Sequence, residues 1–88
     1  MASAAEKLLD RMRQSKNGWG PDDLHTLYIG FGFWYREGEK HRVYIHKEFS
    51  ELRATVARHT PLPIGYVQTA IKLVDQAEER AKEAGGKQ

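Results

Sequence analysis

The sequence predicts an α+β domain with the element order α-α-β-β-β-α. Two observations carry this expectation. Apolar residues recur at i, i+3, i+4 and i+7 in two N-terminal segments and in a long C-terminal one, the spacing of amphipathic helices. Between them, from Phe33 to Arg58, the period falls to two, the spacing of strands. The chain has 88 residues, 40% hydrophobic and 30% charged. That suits one globular domain over residues 1–88 and leaves no room for a second core.

The first helix is expected over Ala4–Gln14, with Ala5, Leu8, Leu9 and Met12 on one stripe and Asn17-Gly18 stopping it. A second opens at Gly20-Pro21-Asp22-Asp23, where proline suits the first helical position and the aspartates suit the positive end of the dipole. Its stripe is Leu24, Leu27, Tyr28 and Phe31, and Gly30 and Gly32 end it. The first strand runs from Phe33 to Glu37. A turn at Glu37-Gly38-Glu39 leads to a return strand from Lys40 to His46. A third strand covers Leu52 to Arg58, and Pro61 and Pro63 end the ladder. The last helix is expected from Ile64 to Lys82, with Ile64, Val67, Ile71, Val74 and Ala81 inward, widened by Ala70 and Ala77. Residues 4–15 form an N-terminal helical extension, 21–83 the core and 84–88 a frayed tail.

The helices should cover one face of the three-stranded antiparallel sheet, giving a two-layer sandwich. The face assigned to the core holds Phe33, Tyr35, Val43, Ile45, Ala54 and Val56, with His41 at its end. The outward face then carries Trp34, Arg36, Arg42, Tyr44, His46, Arg53 and Thr55. Its aromatics can stack on bases and its cations can pair with phosphates. A solvated face with ordinary cross-strand pairs is the alternative.

Several chemistries are excluded. There is no cysteine, so disulfide scaffolds, thiolate zinc sites and cysteine nucleophiles are absent. No metal-binding spacing such as H-x-H or H-E-x-x-H occurs, no phosphate-cradling glycine loop follows a strand, and no G-x-S-x-G elbow is present. No cofactor is expected. The N-terminal segment lacks the apolar core of a secretory signal, and a cytoplasmic location is expected. The formal charge is +2 and the pI about 9.0. The excess is local: between Trp34 and His59 six basic residues face four acidic ones, and three of the four histidines lie there. Among these, His41 stands between Lys40 and Arg42 just past the hairpin turn. Histidine is the side chain best suited to give and take protons near neutrality. The alternative is a half-buried polar residue closing the core face. His46, on the opposite face, cannot pair with it.

One stretch of the chain resembles a known family. It begins with the helix start at Asp23-Leu24 and Phe31-Gly32-Phe33. It continues through Gly38-Glu39-Lys40-His41-Arg42-Val43-Tyr44-Ile45-His46 and Val56-Ala57-Arg58-His59, and ends at Gly65-Tyr66-Val67-Gln68-Thr69-Ala70-Ile71-Lys72-Leu73. This pattern resembles the HicA family of type II toxin–antitoxin proteins over about residues 21–76. The resemblance implies a double-stranded-RNA-binding-like fold and a ribosome-independent mRNA-cleaving toxin, held inactive by a HicB-like antitoxin. It implies that His41 is the catalytic residue. Here the turn before the histidine is one residue longer than the family's Gly-Ser-His and lacks the serine. The family's proline before the third-strand histidine is missing, and the helix before Trp19 lies outside the resemblance.

On this reading His41 is the general acid or base of RNA cleavage, with His59 the candidate second group. Lys40 and Arg42 stabilise charge, and Trp34, Arg36, Tyr44, His46 and Arg53 grip the strand. The partners expected are RNA and a HicB-like antitoxin, in a hetero-oligomer or a homodimer. Two alternatives stand beside it: a non-catalytic RNA-binding domain of the same fold, and a module that binds only its antitoxin. The cations around His41 favour an RNA partner; the lengthened turn favours the non-catalytic alternative.

Overall fold

The computed structural model describes residues 3–58 and 60–85. The order is α1 (Ala4–Gln14), α2 (Pro21–Gly30), β1 (Phe33–Glu37), β2 (His41–His46), β3 (Arg53–Ala57) and α3 (Ile64–Gly85). The sheet is antiparallel with the order β1-β2-β3, so β1 and β3 are both edges. The α+β class and the α-α-β-β-β-α order are as the sequence predicts. The third strand is shorter at both ends than expected. The last helix runs on to Gly85, into the stretch expected to fray, of which 86–88 lie outside the described residues. No helix among the described residues is long and apolar enough to cross a membrane.

Local chemistry explains the helix ends. Ser3 caps α1: its hydroxyl accepts the Glu6 N–H at 3.1 Å while Glu6 accepts the Ser3 N–H at 2.9 Å, which satisfies two otherwise orphan donors. Asp23 closes the start of α2 in the same way, accepting the Gly20 N–H at 2.9 Å. The two helices cross closely at Gly30, where a side-chain carbon would stand 2.2 Å from the Ala5 Cβ. Glycine is required there by space, not by backbone angle.

Helices α2 and α3 pack on one sheet face and α1 packs on both of them, around a single core. Met12, Leu24, Leu27, Tyr28, Tyr44, Val67, Ala70 and Val74 are fully buried in it. The expected stripe of α3 is corrected at its ends: Ile64 is 45% exposed and Ala81 lies on the surface. The buried row is Val67, Ala70, Val74 and Ala77, which keeps helical spacing.

The N-terminal extension is therefore integral to the core. Met12 sits in the shared cluster and Arg13 forms a two-pronged pair with Asp75 of α3. Met12→Ala is expected to cost about 2–5 kcal/mol. In a domain this size each kcal/mol lowers Tm by about 4–8 °C, and thermal unfolding followed by circular dichroism reads the loss.

Candidate functional site

The β1–β2 hairpin sets the site. The Gly38 N–H donates to the His41 carbonyl at 2.8 Å, and a Cβ at position 38 would meet that same oxygen at 2.8 Å. The closed turn leaves Glu39 and Lys40 at its tip and pairs Glu37 with Arg42. From there the register is Arg36 with Val43, Tyr35 with Tyr44, Trp34 with Ile45 and Phe33 with His46. Across the other seam His41 faces Ala57, Val43 faces Thr55, Tyr44 faces Ala54 and Ile45 faces Arg53.

This register corrects the expected facing of β2, because a shift of one residue exchanges the two faces of a strand. Arg42, Tyr44 and His46, expected outward, lie on the helix-covered side. His41, Val43 and Ile45, expected inward, lie on the open side. The assignments for β1 and β3 stand. The physical reason is aromatic burial. Tyr44 is 0% exposed and stacks on Tyr28 at 4.6 Å between ring centroids. It offers more apolar area to the core than Val43 would.

The polar atoms of these inward residues are satisfied. The Tyr44 hydroxyl lies 2.7 Å from His25 Nδ1 and accepts from Arg42 Nη1 at 3.3 Å. His46 Nδ1 accepts the N–H groups of Glu48 and Phe49 at 3.1 and 3.2 Å, closing the turn after β2. His46 is thus a structural cap, and its ring packs between Phe33 and Phe49. His25 of α2 is half-buried against Tyr35 and Tyr44.

Arg42 is committed as well. Its Nε donates to Glu37 Oε1 at 2.5 Å, and its guanidinium lies 5.3 Å over the Tyr35 ring. Arg58 donates to the other Glu37 oxygen at 2.9 Å and to the Gly38 carbonyl at 2.8 Å. Glu37 therefore bridges two arginines and braces the hairpin. The hydrogen bond from Arg42, supported by both positive charges, holds its carboxyl below the ordinary value of 4.5. A carboxyl held low in the folded state adds stability above its unfolded pKa and loses it as pH falls through the lower folded value. Unfolding scans from pH 7 to pH 3 should show this contribution begin to decline near pH 4.5 and disappear once the lower folded value is passed, and Glu37→Gln should flatten that part of the curve.

The open face now reads in rows: Trp34–Ile45–Arg53, then Arg36–Val43–Thr55, then His41–Ala57. Among the described residues no carboxylate occupies it. Trp34 is 43% exposed, and Arg36, His41, Arg53 and Thr55 are exposed, whereas Ile45 is 7% exposed between its row neighbours. Of the residues expected to contact RNA, the structure brings Trp34, Arg36 and Arg53 to this face with His41. It sets Arg42, Tyr44 and His46 on the other.

At the hairpin end of the sheet lies a shallow cleft lined by Glu39, Lys40, His41, Ala57, Arg58 and Tyr66. Sequence reasoning missed Arg58 and Tyr66 as members. The signal that finds them is the His41–Ala57 pairing, which carries the end of β3 up to the hairpin turn. His59, the candidate second group, lies outside the described residues. The cleft can hold an anion between Lys40 and Arg58 with an imidazole beside it.

Comparison of the chain with protein-family models, with curated proteins and with solved structures gives no match.

Proposed function

We propose that the chain is an endoribonuclease of the double-stranded-RNA-binding-like fold, the toxin of a toxin–antitoxin pair. The single observation that carries this reading is the setting of His41: exposed, at a hairpin mouth, in a cleft where Lys40 and Arg58 outnumber Glu39, on a sheet face that among the described residues carries no carboxylate. The resemblance of residues 21–76 to the HicA family points to the same histidine.

The chemistry is internal transfer at phosphorus. A ribose 2′-oxygen attacks the adjacent phosphorus and gives its proton to a base. The bond from phosphorus to the 5′-oxygen breaks, and that oxygen takes a proton from an acid. The products are a 2′,3′-cyclic phosphate and a 5′-hydroxyl. His41 serves as base or acid, with His59 the candidate for the second proton transfer. Lys40 and Arg58 balance charge developing on the phosphoryl oxygens. Arg58 takes the role first read for Arg42, because the register turns Arg42 to the helix-covered side while Arg58 lines the cleft; Glu37 engages both arginines. Trp34 stacks on a base, and Arg36 and Arg53 pair with phosphates along the strand. A HicB-like antitoxin that covers this face would block the cleft.

Binding of a fluorescent single-stranded RNA across a salt series tests the interface. Affinity should fall steeply with salt, and Arg36→Ala and Arg53→Ala should each reduce the log–log slope by about 0.7. Trp34→Ala should weaken binding by about 1–3 kcal/mol at every salt concentration. Binding insensitive to all three substitutions would remove this face as the RNA surface. The non-catalytic alternative draws on the longer, serine-free turn; it predicts the same binding data with intact RNA.

A further inference from the structure

A second cavity adjoins the His41 cleft, and Tyr66 forms part of the wall of both. It lies between β3 and the first turns of α3 and has a volume of about 390 Å³. That is within the range of small-molecule sites. Ala54, Val56 and Pro63 give it apolar walls, Thr69 lines it from α3, and Thr55 borders it along the β3 edge.

Two independent features mark it as more than a packing gap. Tyr28 also lines the cavity; its side chain is fully buried, and its hydroxyl has no hydrogen-bond partner among the described residues. A buried hydroxyl without a partner is unfavourable, and a native structure rarely keeps one without a use. The second feature is the start of α3. Its first turn carries no acidic residue to offset the helix dipole, and nothing stands within 4 Å of where a Gly65 side chain would begin. Gly65 and Tyr66 line the cavity, so the positive end of the 22-residue helix stands at its wall.

We propose that this cavity is a nucleobase subsite. It takes the base next to the phosphodiester held at Lys40, His41 and Arg58, and so sets which nucleotide is bound at the cut. The base lies between the apolar walls and the Tyr66 ring. The Tyr28 hydroxyl, one donor and one acceptor, is closed to solvent behind the empty cavity's wall and meets the polar edge of the base once the wall yields to it. A protein side chain could fill the same walls but brings no phosphate to the neighbouring cations. This inference rests on the RNA reading and adds a place and a residue for base preference.

Uncleavable probes separate the two claims. Homodinucleotides of adenine, cytosine, guanine and uracil with 2′-O-methyl ribose have no attacking hydroxyl. Each is titrated into the ¹⁵N-labelled protein and followed by NMR. The expected result is saturable shifts of the Gly65, Tyr66 and Thr69 amides, with one base preferred. Tyr28→Phe should weaken the preferred probe by about tenfold and level the preference, since one buried hydrogen bond is lost. Gly65→Leu, whose side chain enters open space, should fill the mouth and abolish the pocket shifts while the rest of the spectrum stays native. Shifts confined to Lys40, His41 and Arg58, or a Tyr28→Phe protein with unchanged affinities, would overturn the subsite. Pocket binding alongside uncleaved RNA would retire the nuclease and keep the subsite. Cleavage that depends on His41 without any pocket response would do the reverse.

Discussion

His41→Ala is expected to lower RNA cleavage by about 10²–10⁴-fold, the usual contribution of a positioned acid or base, while the protein stays folded. The side chain is exposed on the open face at the last row of the sheet, opposite Ala57. Removing it opens no cavity, so the change in stability should stay within about 0.5 kcal/mol. The cations at the cleft remain, and RNA affinity should change little. Cleavage rate, RNA affinity and Tm of parent and variant, taken side by side, distinguish loss of chemistry from loss of fold. A variant that cuts as fast as the parent would remove the imidazole from the mechanism.

The largest structural effect of a sheet substitution is expected at Tyr44. Its ring is fully buried, stacks on Tyr28 and sits within 2.7 Å of His25 Nδ1 through its hydroxyl. Tyr44→Ala empties a large volume and takes a partner from both His25 and Arg42. A loss of about 3–5 kcal/mol follows from the cavity alone. Against a total stability of about 5–15 kcal/mol for a small domain, that is a large share. Tm should fall by more than about 12 °C, or the protein should fail to fold. Arg36→Ala, on the open face, should leave Tm nearly unchanged. Equal effects at the two positions would contradict the facing of β2.

That facing separates what the residues alone reveal from what only the register supplies. The helices and strands were legible because their spacing is local: Met12 and Val74 announce their buried stripes, and Pro21 and Pro63 mark boundaries. The direction of β2 was not. Val43 and Ile45 alternate with Tyr44 and His46, and either set could be buried. The choice depends on the hairpin closing from Gly38 to His41 and on partners remote in sequence. Tyr44 is buried because His25, nineteen residues earlier, satisfies its hydroxyl. His46 is buried because the backbone after it turns onto its ring nitrogen. The site was legible in part for the same reason. Trp34, Arg36 and Arg53 share the open face because the β1 and β3 assignments hold, whereas His41 joins them only because the register turns β2 the other way. Arg58 and Tyr66 join them through long-range pairing that no local spacing encodes.

In the proposed mechanism the His41 imidazole assists a ribose hydroxyl in cutting its own strand. The most direct test is the identity of the new ends when purified protein is incubated with end-labelled RNA. The account predicts fragments ending in a 2′,3′-cyclic phosphate and beginning with a 5′-hydroxyl, formed by the parent and not by His41→Ala. Fragments with a free 3′-hydroxyl and a 5′-phosphate would mean that water, not the ribose, attacks. RNA that remains whole would leave a binding protein without the reaction.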